Sequence, residues 1–84
     1  MTNKEILKKQ IIYRSMHRGT KEMDLLLGNF VKKHMYEFND TELKDLEKLL
    51  IFDDEIIYNW YFEKNSSYAI PETRVSLMLK NFKL

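Results

Sequence analysis

Helix breakers are almost absent from this chain: its 84 residues hold two glycines, Gly19 and Gly28, and one proline, Pro71. Inside a helix, glycine costs about 1 kcal/mol and proline about 3 kcal/mol against alanine, so a chain this poor in both can run helical nearly throughout. Apolar residues make up 44% and charged residues 32%, a balance that supports a packed core and argues against disorder over the whole chain. The length allows one domain, expected to span residues 1–84. The expected fold is all-α, a compact bundle of about five short helices joined by short loops.

The spacing of apolar residues places those helices. Thr2-Asn3-Lys4-Glu5 has the capping-box pattern, so helix 1 is expected from about 3 to 17, with Ile6, Leu7, Ile11, Ile12 and Tyr13 as a loose stripe. Gly19 then ends the pattern, and a left-handed glycine is the simplest reading. Met23, Leu26, Leu27, Phe30 and Val31 fall at i, i+3, i+4, i+7 and i+8, the clearest helical face in the chain. Gly28 interrupts helix 2 and is read as permitting close helix contact. Asn39 and Glu42 frame a capping box for helix 3, whose inner face is Leu43, Leu46, Leu49 and Leu50. Asp53 and Asp54 suit the start of helix 4, which presents Ile56, Ile57, Trp60 and Tyr61. Asn65-Ser66-Ser67 reads as a loop. Pro71 fits the first position of helix 5, lined by Val75, Met78, Leu79 and Phe82.

Several chemistries are excluded or disfavoured. With no cysteine, the chain can form neither disulfides nor thiolate sites. His17 and His34 are its only histidines; His34 continues the helix 2 stripe and reads as packed or half-exposed, and His17 sits where a cation favours the end of helix 1. No glycine-rich phosphate loop, HExxH pattern or nucleophile elbow occurs. Catalysis by this chain alone is therefore not expected. Asp53, Asp54 and Glu55 lack the alternating oxygens and central glycine of a calcium loop, so no metal is assigned. The longest apolar run, Leu49-Leu50-Ile51-Phe52, is far below the ~20 residues of a spanning helix, and no membrane insertion is expected.

Net charge is +1, which gives no general pull toward nucleic acid. The distribution is uneven. Residues 1–21 carry six basic groups against one acid, a local +5, and residues 37–63 carry nine acids against two lysines, a local −7. Lys4, Lys8, Lys9, Arg14, Arg18 and Lys21 form a basic strip around Tyr13, but the acidic half would repel phosphates. A dipolar surface of this kind can orient a protein partner, but on charge alone solvated faces on opposite sides of a small bundle are the favoured reading.

The segment Arg18-Gly19-Thr20-Lys21-Glu22-Met23-Asp24 is the remaining candidate. A turn at Gly19 with Glu22 and Asp24 in the first turn of helix 2 accounts for part of it; if Gly19 is the N-cap, Glu22 stands at N3. Neither account requires Arg18 to be arginine. An Arg-Gly corner beside two carboxylates, preceded by Arg14 and His17, makes a bipolar patch suited to docking on a protein surface.

This Arg18-Gly19-x-x-Glu22-x-Asp24 stretch, on a five-helix chain of this length, resembles the succinate dehydrogenase assembly factor 2, or flavinylation factor, family (SdhE-like). A second matching stretch runs from Leu49-Leu50 through Asp53 and Asp54 to Asn59-Trp60. The resemblance implies a chaperone-like assembly factor and not an enzyme. Its partner would be the flavoprotein subunit of succinate dehydrogenase, and in some members that of fumarate reductase. FAD would become covalently attached to that partner, with no cofactor bound stably here. It further implies partner-facing roles for Arg14, His17, Arg18, Gly19, Glu22 and Asp24, with Arg18 pairing to a partner carboxylate or carbonyl. Asp53, Asp54 and Trp60 are candidates for a second edge, with capping and core packing equally open to them. Removal of Arg18, or a glutamate at position 19, is expected to abolish flavinylation with helicity retained.

Helix 1 is basic and amphipathic like a mitochondrial presequence, but it contains Glu5 and runs directly into the Arg-Gly corner. It is read as mature protein, which points to a bacterial, cytoplasmic member, with a processed mitochondrial form as the alternative. Two other classes stay open: a small adaptor or antitoxin-like partner of an unrelated protein, and a nucleic-acid-binding helical domain.

Overall fold

The computed structural model describes residues 2–63 and 70–83. These described residues form five α-helices: α1 (Asn3–Met16), α2 (Lys21–His34), α3 (Asp40–Ile51), α4 (Asp54–Phe62) and α5 (Arg74–Asn81), with a 3-10 turn at Met35–Glu37 between α2 and α3. The expected all-α bundle of five short helices is what forms, with a radius of gyration of 12.1 Å.

Local chemistry sets most helix starts by satisfying backbone N–H groups that have no partner inside the helix. Thr2 Oγ1 accepts from Glu5 N at 3.2 Å and Thr20 Oγ1 from Met23 N at 3.3 Å. Asn39 and Glu42 make both bonds of a capping box, at 2.8 and 3.0 Å. Thr73 and Ser76 make a second box at the start of α5. Asp53 occupies the N-cap position of α4, but its side chain makes no capping bond.

Four local expectations are corrected. Among the described residues no glycine has a positive φ, so Gly19 is not a left-handed helix stop. Thr20, not Gly19, caps α2. Pro71 precedes α5 instead of opening it, because Thr73 supplies the cap. A Cβ on Gly28 would lie 3.6 Å from Met16 Cγ and 3.8 Å from the Ser15 carbonyl, ordinary contact distances, so this packing does not require glycine. The loop read at Asn65-Ser66-Ser67 lies outside the described residues.

α2 and α3 supply the centre of the core: Leu26, Leu27, Phe30, Leu43 and Leu46 are wholly buried. Each such side chain contributes about 1.5–3 kcal/mol through removal from water. α1 packs across both helices, burying Ile11, and α5 packs on α3, burying Val75 and Leu79. α4 adds Ile57 and Trp60. Two polar ties join α4 to the C-terminal segment: Lys80 Nζ donates to the Trp60 carbonyl and Tyr61 Oη donates to that of Phe82. Glu42, buried at the start of α3, accepts from Arg74. The Asn39 backbone N–H, and secondarily the Arg74 bond, hold its carboxyl below the ordinary glutamate range.

Candidate functional site

The corner between α1 and α2 is built around Arg18. After α1 ends at Met16, His17 stays on the surface, its Nδ1 2.8 Å from the Tyr13 carbonyl oxygen and its ring stacked on that of Tyr13 at 3.9 Å. Arg18 turns the other way, and its side chain is only 9% exposed. Nε donates to Asp54 Oδ1 at 2.6 Å, Nη1 to the Leu50 carbonyl at 2.6 Å, and Nη2 to the Phe52 carbonyl at 2.8 Å. The Leu50 carbonyl lies in the last turn of α3, where the backbone has run out of helical partners. One guanidinium therefore closes the end of α3 and holds the first residue of α4, using the planar fork that only arginine has.

The backbone on either side of the Arg18–Gly19 peptide is fixed by carboxylates. Arg18 N donates to Asp24 Oδ1 at 2.6 Å, tying the corner to the first turns of α2. Gly19 N donates to Asp54 Oδ2, so the Asp54 carboxylate spans Arg18 and Gly19 together. A Cβ on Gly19 would stand 2.8 Å from that same Oδ2. Glycine is needed here for close approach, not for an unusual φ.

The sequence-derived residues thus divide by position. Arg18, Asp24 and Asp54 point into the corner and build it. Arg14, His17, Gly19, Glu22 and Asp53 are exposed around it. Arg14 also pairs with Glu47 across to α3 at 3.8 Å. One expectation is corrected: Arg18 is occupied by internal acceptors instead of facing outward. Of the two roles open to Trp60, core packing is the one found: it is 6% exposed and lies beneath the Lys80 ammonium. Glu55 and Tyr58, which lie outside the sequence-derived site, line a shallow hollow with Gly19, Thr20, Met23 and Asp54. The available signal was the i, i+4 spacing of Asp54 and Tyr58, which puts them on one side of α4.

Among the described residues no group of three or more His, Asp or Glu side chains is placed to hold a metal ion, and no helix is long and apolar enough to cross a membrane.

Residues 9–83 match the family described as flavinator of succinate dehydrogenase, Sdh5. The chain belongs to that family. Among similar curated relatives, succinate dehydrogenase assembly factor 2, mitochondrial, of Scheffersomyces stipitis is 38% identical over 81% of this chain and 46% of its own length. The protein of the same name from Dictyostelium discoideum is 36% identical over 90% of this chain and 52% of its own length. FAD assembly factor SdhE of Acetobacter pasteurianus is 32% identical over 87% of this chain and 64% of its own length. The chain thus spans about half the length of the eukaryotic relatives and somewhat more of the bacterial one. No solved structure gives a significant match. The expectation of a bacterial, cytoplasmic protein is corrected by these relatives: although one of them is bacterial, those of Scheffersomyces and Dictyostelium are named as mitochondrial.

Proposed function

We propose that this chain binds the flavoprotein subunit of succinate dehydrogenase before assembly and promotes covalent attachment of FAD to it, as an assembly factor and not as the catalyst. Flavinator-family membership supports this, as does the Acetobacter relative's name, FAD assembly factor. The fumarate reductase flavoprotein is a second client of the same chemistry. FAD stays with the partner throughout.

The observation that carries the reading is the braced Gly19 corner. Arg18, Asp24 and Asp54 fix the backbone from inside, so a position without a side chain is displayed among exposed polar groups. A partner backbone can approach Gly19 closely, and Glu22 is free to accept hydrogen bonds from it. A rigid docking edge loses little entropy on binding. Binding then stabilises whichever flavoprotein conformation fits that edge, and so favours the arrangement in which the partner's own groups complete attachment.

The reading is tested by covalent flavin fluorescence of the denatured flavoprotein subunit from cells with and without this protein. Loss of the signal in its absence, restored by the wild-type chain, supports it. An unchanged signal contradicts it, and a different stoichiometric partner would favour the adaptor reading.

A further inference from the structure

We infer that the exposed side of α4 receives a positively charged segment of the flavoprotein subunit that carries an apolar side chain. This inference rests on the proposed function and names the chemistry of the partner surface. Three features of α4 point the same way.

The hollow lined by Gly19, Thr20, Met23, Asp54, Glu55 and Tyr58 has a volume of about 370 Å³ and opens directly beside the braced corner. Asp54, Tyr58 and Phe62 fall at i, i+4 and i+8, so the hollow continues along α4 as a stripe. Tyr58 and Phe62 are 41% and 46% exposed, with ring centroids 4.6 Å apart. Two adjacent aromatic rings half open to water form the kind of anchor surface that carries much of the energy in protein interfaces.

On α4 itself the charged residues that rim this stripe are all acidic. Residues 53–63 contain Asp53, Asp54, Glu55 and Glu63 and no lysine or arginine. Arg18 pairs with Asp54, but Asp53, Glu55 and Glu63 are exposed. An acidic partner placed here would bring like charges together, and a wholly apolar one would desolvate three carboxylates without compensation. A segment with lysine or arginine flanking an apolar side chain satisfies both the rim and the rings.

The test is equilibrium binding of the full chain to purified flavoprotein subunit at low and high salt. It compares the wild type with Glu55→Lys/Glu63→Lys and with Tyr58→Ser/Phe62→Ser, with thermal melting of each chain alone as the folding control. Both pairs are expected to melt cooperatively and to weaken binding by about tenfold or more, the charge pair also flattening the salt dependence. Wild-type affinity in both folded variants overturns the inference and leaves the proposed function standing. No binding by the wild type defeats the proposed function and this inference together. If the substitutions alter only self-association of the isolated chain, the face is occupied by a second copy and the inference is overturned.

Discussion

Arg18 Nε and Asp54 Oδ1 meet at 2.6 Å across 36 positions of sequence. Through this contact a residue just after α1 fixes the junction of α3 and α4, because the same guanidinium also holds the Leu50 and Phe52 carbonyls. Removing the side chain takes the donor from the Arg14, Leu50 and Phe52 carbonyls and from the Asp54 carboxylate. Breaking a largely buried ion pair in this way costs about 3–5 kcal/mol. Arg18→Ala should therefore lower the urea midpoint sharply, and Arg18→Lys should recover only part of the loss, since a single ammonium cannot reproduce the fork. Melting of Arg18→Ala close to wild type would show that the network carries little stability. The sequence-based expectation of retained helicity in this variant is revised accordingly.

At Gly19 the strain has a named partner. The Cβ of an alanine would press on Asp54 Oδ2 at 2.8 Å, and that oxygen is held by the Gly19 N–H itself. Gly19→Ala is expected to destabilise by about 1–3 kcal/mol, as overpacking does. In Asp54→Ala the clash is absent, so the double variant should cost less than the sum of the single ones. Strict additivity in unfolding measurements would contradict the contact.

Gly28 should behave in the opposite way. Its neighbours sit at ordinary contact distance, so Gly28→Ala adds helix propensity without a clash. Thermal unfolding should show a gain of about 0.5–1 kcal/mol. A loss would mean that α1 and α2 pack more tightly there than these distances indicate.

Glu42 links stability to acid. The Asn39 backbone N–H and the Arg74 bond keep its folded-state carboxyl ionised at lower pH than in the unfolded chain. Above the ordinary glutamate value of 4.5 its contribution is fully present; below it the unfolded state binds the proton first, and stability is lost as pH falls through the lowered folded value. Glu42→Gln should flatten the pH dependence in that acid window and leave the slope near neutrality unchanged. An identical acid slope in both proteins would contradict the link.

How much was legible beforehand follows from the range of each interaction. The faces of α2 and α3 were readable because Leu26, Phe30, Leu43 and Leu46 repeat within two turns, and the Asn39–Glu42 box spans three residues. The start of α5 was misplaced because Pro71 is a familiar opening residue, whereas the Thr73–Ser76 box uses a hydroxyl in place of the usual Glu. Arg18 reads as a surface residue because the three acceptors that draw it inward lie 32 to 36 positions away, beyond any local pattern. Trp60 could face either way until α5 was seen to pack over it through Lys80. The motif residues were found in the sequence; their division into builders and displayed groups required the fold.

Among the displayed groups, Glu22 distinguishes docking from folding. Glu22 is exposed and stands outside the Arg18 network, so Glu22→Ala should leave unfolding within about 0.5 kcal/mol of wild type. The decisive measurement is covalent flavin on the purified flavoprotein subunit after incubation with FAD and either wild-type or Glu22→Ala chain, at matched folded concentration. Strong stimulation by the wild type and little or none by the equally stable variant is expected. Equal stimulation by both would contradict it, leaving the motif with a role in folding alone.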